Sequence, residues 1–288
     1  MKNFTLSWPN YELQLGRRTI VMGIVNVTPD SFSDGGRFHS TDAAVAQVEH
    51  LVQAGADIID IGGESTRPFA DDVSAKEETA RVVPVISRLA HRIGVPISID
   101  TTKAGVAEAA LDAGAAIIND ISALEMDPEI ARVAARREVP VILMHMQGTP
   151  RTMQLEPAYT DVVAEVREYL ARAIERAVAA GVDRRRIIVD PGIGFGKTGR
   201  HNLLLIRQLD ALSDLDTPIL VGPSRKRFIR DLVKAPGEKD IAPDLPAVET
   251  GTQAAVAAAV MNGAHIVRVH DVANTRAMVN VLDAIRTA

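Results

Sequence analysis

The sequence predicts an α/β fold: a closed barrel of eight parallel strand–helix units preceded by a short N-terminal β-hairpin. Three observations predict it. Eight short runs rich in Ile and Val recur along the 288 residues, each ending near a polar residue or turn former. Continuous apolar runs of this length suit strands buried on both faces, as in a parallel sheet. Between them lie stretches with helix-capping signals, and several stop at a Gly-Ala pair just before the next run. Eight such units in one chain point to a (β/α)8 barrel, the bland alternative being an open doubly wound sheet. No composition shift marks a boundary, so residues 1–288 read as a single domain.

In chain order, residues 4–16 read as the hairpin, placed to plug the bottom of the barrel. The eight runs are Ile20–Val27, Ile58–Gly62, Pro96–Thr101, Ile117–Asp120, Pro140–His145, Ile187–Pro191, Pro218–Gly222 and Ile266–His270. Gly55-Ala56, Gly114-Ala115 and Gly263-Ala264 precede three of them, and Gly94 and Gly181 are assigned the same helix-stopping role. Ser74 and Glu77 have the spacing of a capping box, the Ser covering a free helix N–H and the Glu reaching back. Asp127-Pro128-Glu129 offers a cap, a first-turn Pro and an acid on the helix dipole. Val162, Val166, Leu170, Ile174 and Val178 step by four and predict one apolar helical face. Residues 234–247, rich in Pro and of mixed charge, read as a long loop after strand seven of the barrel.

Composition excludes several classes of function. Apolar residues make up 47% and charged residues 24%, the balance of a folded globular chain. Lys plus Arg number 32 against 37 Asp plus Glu, a net charge of −5, so no basic field is present to hold nucleic acid. The absence of cysteine removes disulfides, thiolate metal sites, iron–sulfur clusters and a cysteine nucleophile, and it fits a reducing compartment. The longest apolar stretch, Ala254–Met261, is far short of the roughly 20 residues that cross a bilayer. No signal-peptide core is visible at the start, and a cytoplasmic protein without membrane or nucleic-acid partners is expected.

Barrel enzymes work at the C-terminal ends of their strands. There the chain places Asn26, Asp60, Asp100, Asn119 with Asp120, His145, Asp190, Ser224, and Arg268 with His270. One such residue is often only a turn former, but a set of them at one end is a candidate site. Arg268 and His270 share a face, whereas the adjacent Asn119 and Asp120 point opposite ways. Carboxylates and an amide together suit a flat heterocycle carrying several N–H groups. Pro191–Thr198, after the sixth run, resembles a phosphate loop but has Pro191 where the Walker pattern needs Gly. Its three glycines allow close backbone approach to a ligand, with Phe195 as an aromatic wall. Ser224-Arg225-Lys226-Arg227 follows the seventh run, where barrels commonly hold phosphate, and Arg67 and Arg268 add fork-shaped donors. The segment after Asn26, rich in Gly, Ser, Pro and Asp, has the length and position of a lid. His145 and His270 lack zinc-site spacing, and oxygen-rich surroundings favour Mg²⁺ held mainly by substrate phosphates.

Together these segments resemble the dihydropteroate synthase family of pterin-binding TIM barrels. The resemblance spans about residue 20 to residue 280. It rests on MGIVNVTPDSFSDGG (22–36), DIGGESTRP (60–68), SIDT (98–101), IINDI (117–121), LMHMQGTP (143–150), DPGIGFGK (190–197), GPSRK (222–226) and VRVHD (267–271). It implies an enzyme of folate biosynthesis, a sulfonamide target. The implied reaction condenses 6-hydroxymethyl-7,8-dihydropterin diphosphate with p-aminobenzoate to give 7,8-dihydropteroate and pyrophosphate. The resemblance also implies a homodimer and Mg²⁺ as cofactor, with Asn26 as its protein ligand. Asp100, Asn119 and Asp190 would hydrogen-bond the pterin, Met144 would pack near it and Lys226 would contact its edge. Arg67, Arg268 and His270 would grip the diphosphate, and Thr66, Phe195 and Ser224 would help form the aminobenzoate pocket. Asp100, Asp190, Lys226, Arg268 and His270 would be the catalytic set.

Two positions depart from the family pattern. Phe69 follows Pro68 where Gly is typical, and Arg227 follows Lys226 where Ser is common. Both bear on the aminobenzoate side and not on the pterin pocket. A pterin-binding methyltransferase would share Asp100, Asn119 and Asp190 but needs no diphosphate grip. A catalytically silent pterin-binding paralogue would not need Asn26, Lys226, Arg268 and His270 together.

Overall fold

The structure is a computed structural model and describes residues 1–28, 36–65 and 72–288. Eight parallel strands form the barrel: β3 (Ile20–Asn26), β4 (Ile58–Gly62), β5 (Ile97–Asp100), β6 (Ile117–Asp120), β7 (Val141–Met144), β8 (Ile187–Asp190), β9 (Leu220–Val221) and β10 (Ile266–Val269). Their order is β8-β7-β6-β5-β4-β3-β10-β9. The ring closes where Val189 bridges Ile219 and its N–H donates to the Pro218 carbonyl at 3.0 Å. That bridge makes the sheet a barrel and rules out the open alternative. Each predicted run contains its strand. The runs that open on Pro96, Pro140 and Pro218 start late, because proline has no N–H for the ladder.

The helices are α1 (Gly36–Gln53), α2 (Ala75–Leu89), α3 (Ala104–Asp112), α4 (Glu129–Arg137), α5 (Val162–Ala179), α6 (Gly199–Arg207), α7 (Arg227–Val233), α8 (Pro246–Met261) and α9 (Val272–Thr287). They pack around the strands, whose Ile and Val side chains form one continuous core with the inward helix faces. The antiparallel hairpin joins β1 (Phe4–Trp8) to β2 (Tyr11–Leu15), with Trp8 opposite Tyr11. It lies at the N-terminal ends of the strands. The ring of His265, one residue before β10, meets the Lys2 carbonyl at 3.1 Å, and Leu6 and Leu15 are fully buried. Residues 234–245 form the loop expected after the seventh barrel strand.

Three local expectations need correction. Ser74 caps α2 through the Glu77 N–H at 3.2 Å, but the Glu77 carboxylate pairs with Arg81 one turn on, so the box is half formed. Gly94 lies outside the left-handed region, and α2 ends earlier, where the Ala90 N–H closes on Ile86. On α5, Val162 to Ile174 are buried but Val178 is 42% exposed, with Ala177 buried instead. A step of four gains about 40° per turn over the 3.6-residue helix, so by Val178 the stripe has swung about 160° off its start.

Candidate active site

Register builds the site from the strand ends. Asn26 is paired with Gly62, Gly62 with Asp100, and Asp100 with Asn119, so four neighbouring strands present these residues in one row. Gly62 leaves a gap in that row. A Cβ there would lie 3.4 Å from the Asp100 Cβ and 3.8 Å from the Asn26 Oδ1. Beneath the gap lies Asp60, two residues back on β4 and on the same face. Asp60 is fully buried, and its Oδ2 accepts from the Asn119 amide at 3.0 Å and from the Arg268 Nε at 2.6 Å. The Asp60 Oδ1 has no partner within the protein. Arg268 spans the barrel from β10, and its Nη2 donates to the Asp100 Oδ2 at 2.7 Å. One guanidinium therefore ties two carboxylates on adjacent strands, which its planar fork allows.

The electrostatics follow from burial. Burial pushes the Asp100 carboxyl up to about 7 against the pull of Arg268, with Asp60 adding to the rise. Burial raises Asp190 to about 6 although its Oδ1 accepts the Gly192 N–H at 2.7 Å. Lys226 is lowered to about 8 by burial and by Arg268, while Asp190 and Asp100 hold its proton on. A cluster of carboxylates and one ammonium, all poised near neutrality, is the arrangement found where charge must develop on a ligand.

Lys226 reaches this cluster because the preceding residue turns away. Arg225 adopts φ 60°, its N–H donates to Thr252 at 3.1 Å and its side chain faces Glu249. The Lys226 ammonium then lies 3.9 Å from the centroid of the Phe195 ring. Phe195 packs with Ile121, Met144, Met146 and Met153 in a small apolar cluster apart from the main core. Ser224 shares a 2.9 Å hydrogen bond with the His270 Nδ1.

The structure thus brings together Asp100, Asn119, Asp190, Lys226, Phe195, Met144 and Arg268, with Asn26 in the row and Ser224 paired to His270. Thr66, Arg67 and Phe69 lie outside the described residues, as does most of the segment after Asn26 expected to be a lid. Either side of 66–71 the chain is anchored: the Glu64 Oε1 accepts the Val73 N–H at 3.0 Å and its Oε2 meets Lys103 at 2.5 Å. Arg227 is largely exposed and faces Asp231 at 3.6 Å, so its charge is solvated rather than turned into the pocket. Asp120 points away from the row, as parity requires, and accepts the N–H groups of Ser122 and Leu124 in a turn. His145 lies behind the site, bonded to Lys197.

The glycine turn does something other than the sequence suggested. The Gly192 N–H is taken by Asp190 and the Gly194 N–H by the Asn202 Oδ1 at 2.7 Å, so these amides do not cradle a phosphate. The close approach is to the protein itself. A Cβ on Gly192 would lie 1.9 Å from the His145 carbonyl oxygen, and one on Gly196 2.6 Å from that of Gln147. Lys197 carries no signal of its own within the glycine motif, and Asp60, one of the polar residues at the strand ends, gains a specific role only from Asn119 and Arg268. The signal for Asp60 was available, since it shares a strand face with Gly62.

Comparisons with known proteins show the family to which the chain is similar. A family model described as pterin binding enzyme matches residues 22–270. A dihydropteroate synthase of Synechocystis is 49% identical over 270 residues, covering 94% of this chain and 91% of its own. The structure of Xanthomonas albilineans dihydropteroate synthase with 4-aminobenzoic acid superposes with a TM-score of 0.90 at 44% identity, over 100% of both chains. The same enzyme in complex with 7,8-dihydropteroate gives 0.87 at 43% identity, over 99% of each.

Proposed function

The chain belongs to the pterin-binding enzyme family, among the dihydropteroate synthases, and from that premise we propose how its own residues carry the reaction. The substrates are 6-hydroxymethyl-7,8-dihydropterin diphosphate and p-aminobenzoate, and the products are 7,8-dihydropteroate and pyrophosphate. The observation that carries this reading is the row of Asn26, Asp100 and Asn119 above Asp60, flanked by Asp190 and crossed by Arg268. Its carboxylates and amides match the N–H edge of a pterin, with the buried Asp60 holding Asn119 and Arg268 in place beneath.

The exocyclic C–O bond breaks with its electron pair leaving on the diphosphate, and positive charge spreads over the dihydropterin. Asp100 and Asp190, when ionised, stabilise that charge from fixed positions in a buried site. The aryl amine lone pair then forms the C–N bond and the amine loses a proton, so no strong general base is required. Lys226 would contact the pterin edge, His270 would grip the departing diphosphate, and Ser224 would line the aminobenzoate slot with Phe195 as its aromatic wall. Two nitrogens of Arg268 are spent on Asp60 and Asp100, so its hold on the diphosphate is shared with the pterin floor.

Mg²⁺ fits the residues present. Among the described residues no group of three or more His, Cys, Asp or Glu could cage a metal, whereas Asn26 offers one neutral oxygen in the row, across the Gly62 gap from Asp100. A hard cation held mainly by substrate oxygens needs no more. Bound there through Asn26, Mg²⁺ would supply charge neutralisation for the leaving diphosphate. We also propose a homodimer, supported by Val281 and Ile285, one helical turn apart on α9 and each 60% exposed. A cytoplasmic location is supported by the lack of cysteine. Among the described residues no helix is long and apolar enough to cross a membrane.

Pyrophosphate release with dihydropterin diphosphate and Mg²⁺, with and without p-aminobenzoate, tests the reading. Release that depends on p-aminobenzoate is the expected result. Pterin binding without release would replace it with the silent-paralogue reading.

A further inference from the structure

Lys197 is a buried residue, 3% exposed, that the reaction above does not use. Its ammonium donates to the Phe195 carbonyl at 2.8 Å, the His145 Nδ1 at 2.8 Å and the His145 carbonyl at 3.4 Å. An ammonium has three donors, and these three acceptors engage them. None is a carboxylate. Burial lowers this ammonium to about 7, and Asp190 attracts it only at longer range, so the lysine costs stability that a Met or Leu of similar size would not. Packing alone therefore does not explain a lysine at this position.

The three acceptors belong to two loops. His145 follows β7 and Phe195 follows β8, and the glycine turn presses the same two loops together at Gly192 and Gly196. His145 suits the acceptor role. Burial, aided by the Lys197 charge, holds its imidazole near 3, far below the ordinary histidine value, so the ring is neutral. The outer side of the turn has separate ties. The Tyr159 hydroxyl donates to the Gly196 carbonyl at 2.8 Å and the Gln154 amide to the Gly194 carbonyl at 2.7 Å. The Phe195 N–H closes on the Gly192 carbonyl at 3.0 Å within the turn, and Lys197 holds the Phe195 carbonyl, the tie to the other loop; the Phe195 side chain lies against Lys226 and among Met144, Met146 and Met153.

We infer that Lys197 is a positioning residue: by bolting the Phe195 carbonyl to His145, it sets the Phe195 ring against Lys226 and so sets the slot for the aminobenzoate ring. The inference rests on the proposed reaction for its effect on turnover, but not for its effect on the ring. In Lys197→Met, with both substrates varied, KM for p-aminobenzoate should rise about tenfold while kcat and KM for the pterin substrate move by no more than about threefold. In a Phe195→Leu background the same substitution should add nothing further, since both changes act on one contact. A second readout needs no activity. The ¹³C-methyl signals of Met144, Met146 and Met153, shifted by the Phe195 ring current, should move in Lys197→Met, and that of Met22 should not. Unmoved methyl signals, additive effects with Phe195→Leu, or equal losses in kcat and both KM values would overturn the inference. Should Lys197→Met not fold, Lys197→Gln takes its place. It keeps one donor and should shift the same methyl signals part of the way, and failure to do so overturns the inference equally. Wild-type enzyme that releases no pyrophosphate would sink the proposed reaction instead, with the methyl signals still deciding the role of Lys197.

Discussion

Asp100, Asp190 and Lys226 owe their chemistry to a shared burial, and their pH behaviour should report it. With Asp100 raised to about 7, Asp190 to about 6 and Lys226 lowered to about 8, kcat/KM should be bell-shaped. It should fall on the acid side as the carboxylates lose the charge that stabilises the cation, and on the alkaline side as Lys226 loses its proton. A flat profile between pH 5 and 9 would remove these groups from the chemistry. The stability sign runs the other way. Both carboxyls hold protons in the fold that the unfolded chain releases near 4, so their contribution is present below that pH and lost as pH rises through 6 and 7. Asp190→Asn should therefore lose turnover by roughly 10²-fold yet show a smaller fall in Tm than wild type between pH 4 and 6. Arg268→Lys keeps the charge but cannot fork to both Asp60 and Asp100, so kcat/KM should drop by more than about tenfold. An unchanged value would mean that charge alone suffices. Asp100, Asn119 and Asp190 were readable from sequence because polar residues closing apolar runs stand out. Asp60 was visible but unassigned, because its partner Arg268 lies 208 residues away.

The glycine turn after β8 and the helices show how far local rules carry. Gly192 and Gly196 sit at φ 68° and 61° with no room for a Cβ, so Gly192→Ala should cost more than about 3 kcal/mol. Thermal unfolding measures it, and a loss under about 1 kcal/mol would mean the loops are free to part. A Gly-rich turn was evident in the sequence. That it presses against another loop rather than a phosphate was not, because hydrogen-bond partners such as Asn202 are supplied from outside it. The helix stops at Gly55, Gly114, Gly181 and Gly263 hold, each at positive φ. Ser74 caps its helix as its type demands, while Glu77 goes to Arg81 because a salt bridge one turn away competes for the same carboxylate. Val178 slips to the surface because the stripe was drawn at a period of four on a helix of 3.6.

The assembled molecule leaves Val281 and Ile285 on one face of α9. Val281→Arg with Ile285→Arg should convert a dimer to a monomer by light scattering, with each subunit still folded. A wild-type monomer would end the dimer reading, and a variant that stays dimeric would move the interface off α9. The eight-unit barrel was legible in the order of apolar runs and capped helices, because burial on both faces and helix termination are written in neighbouring residues. The polar residues of the mouth were legible for the same reason, since each closes its own strand. Which of them touch was set by the closed ring. Strand register aligns Asn26, Gly62, Asp100 and Asn119, and the barrel's width lets Arg268 reach two carboxylates at once. Such contacts depend on register and radius, which arise from all eight strands together and leave no mark on any one of them.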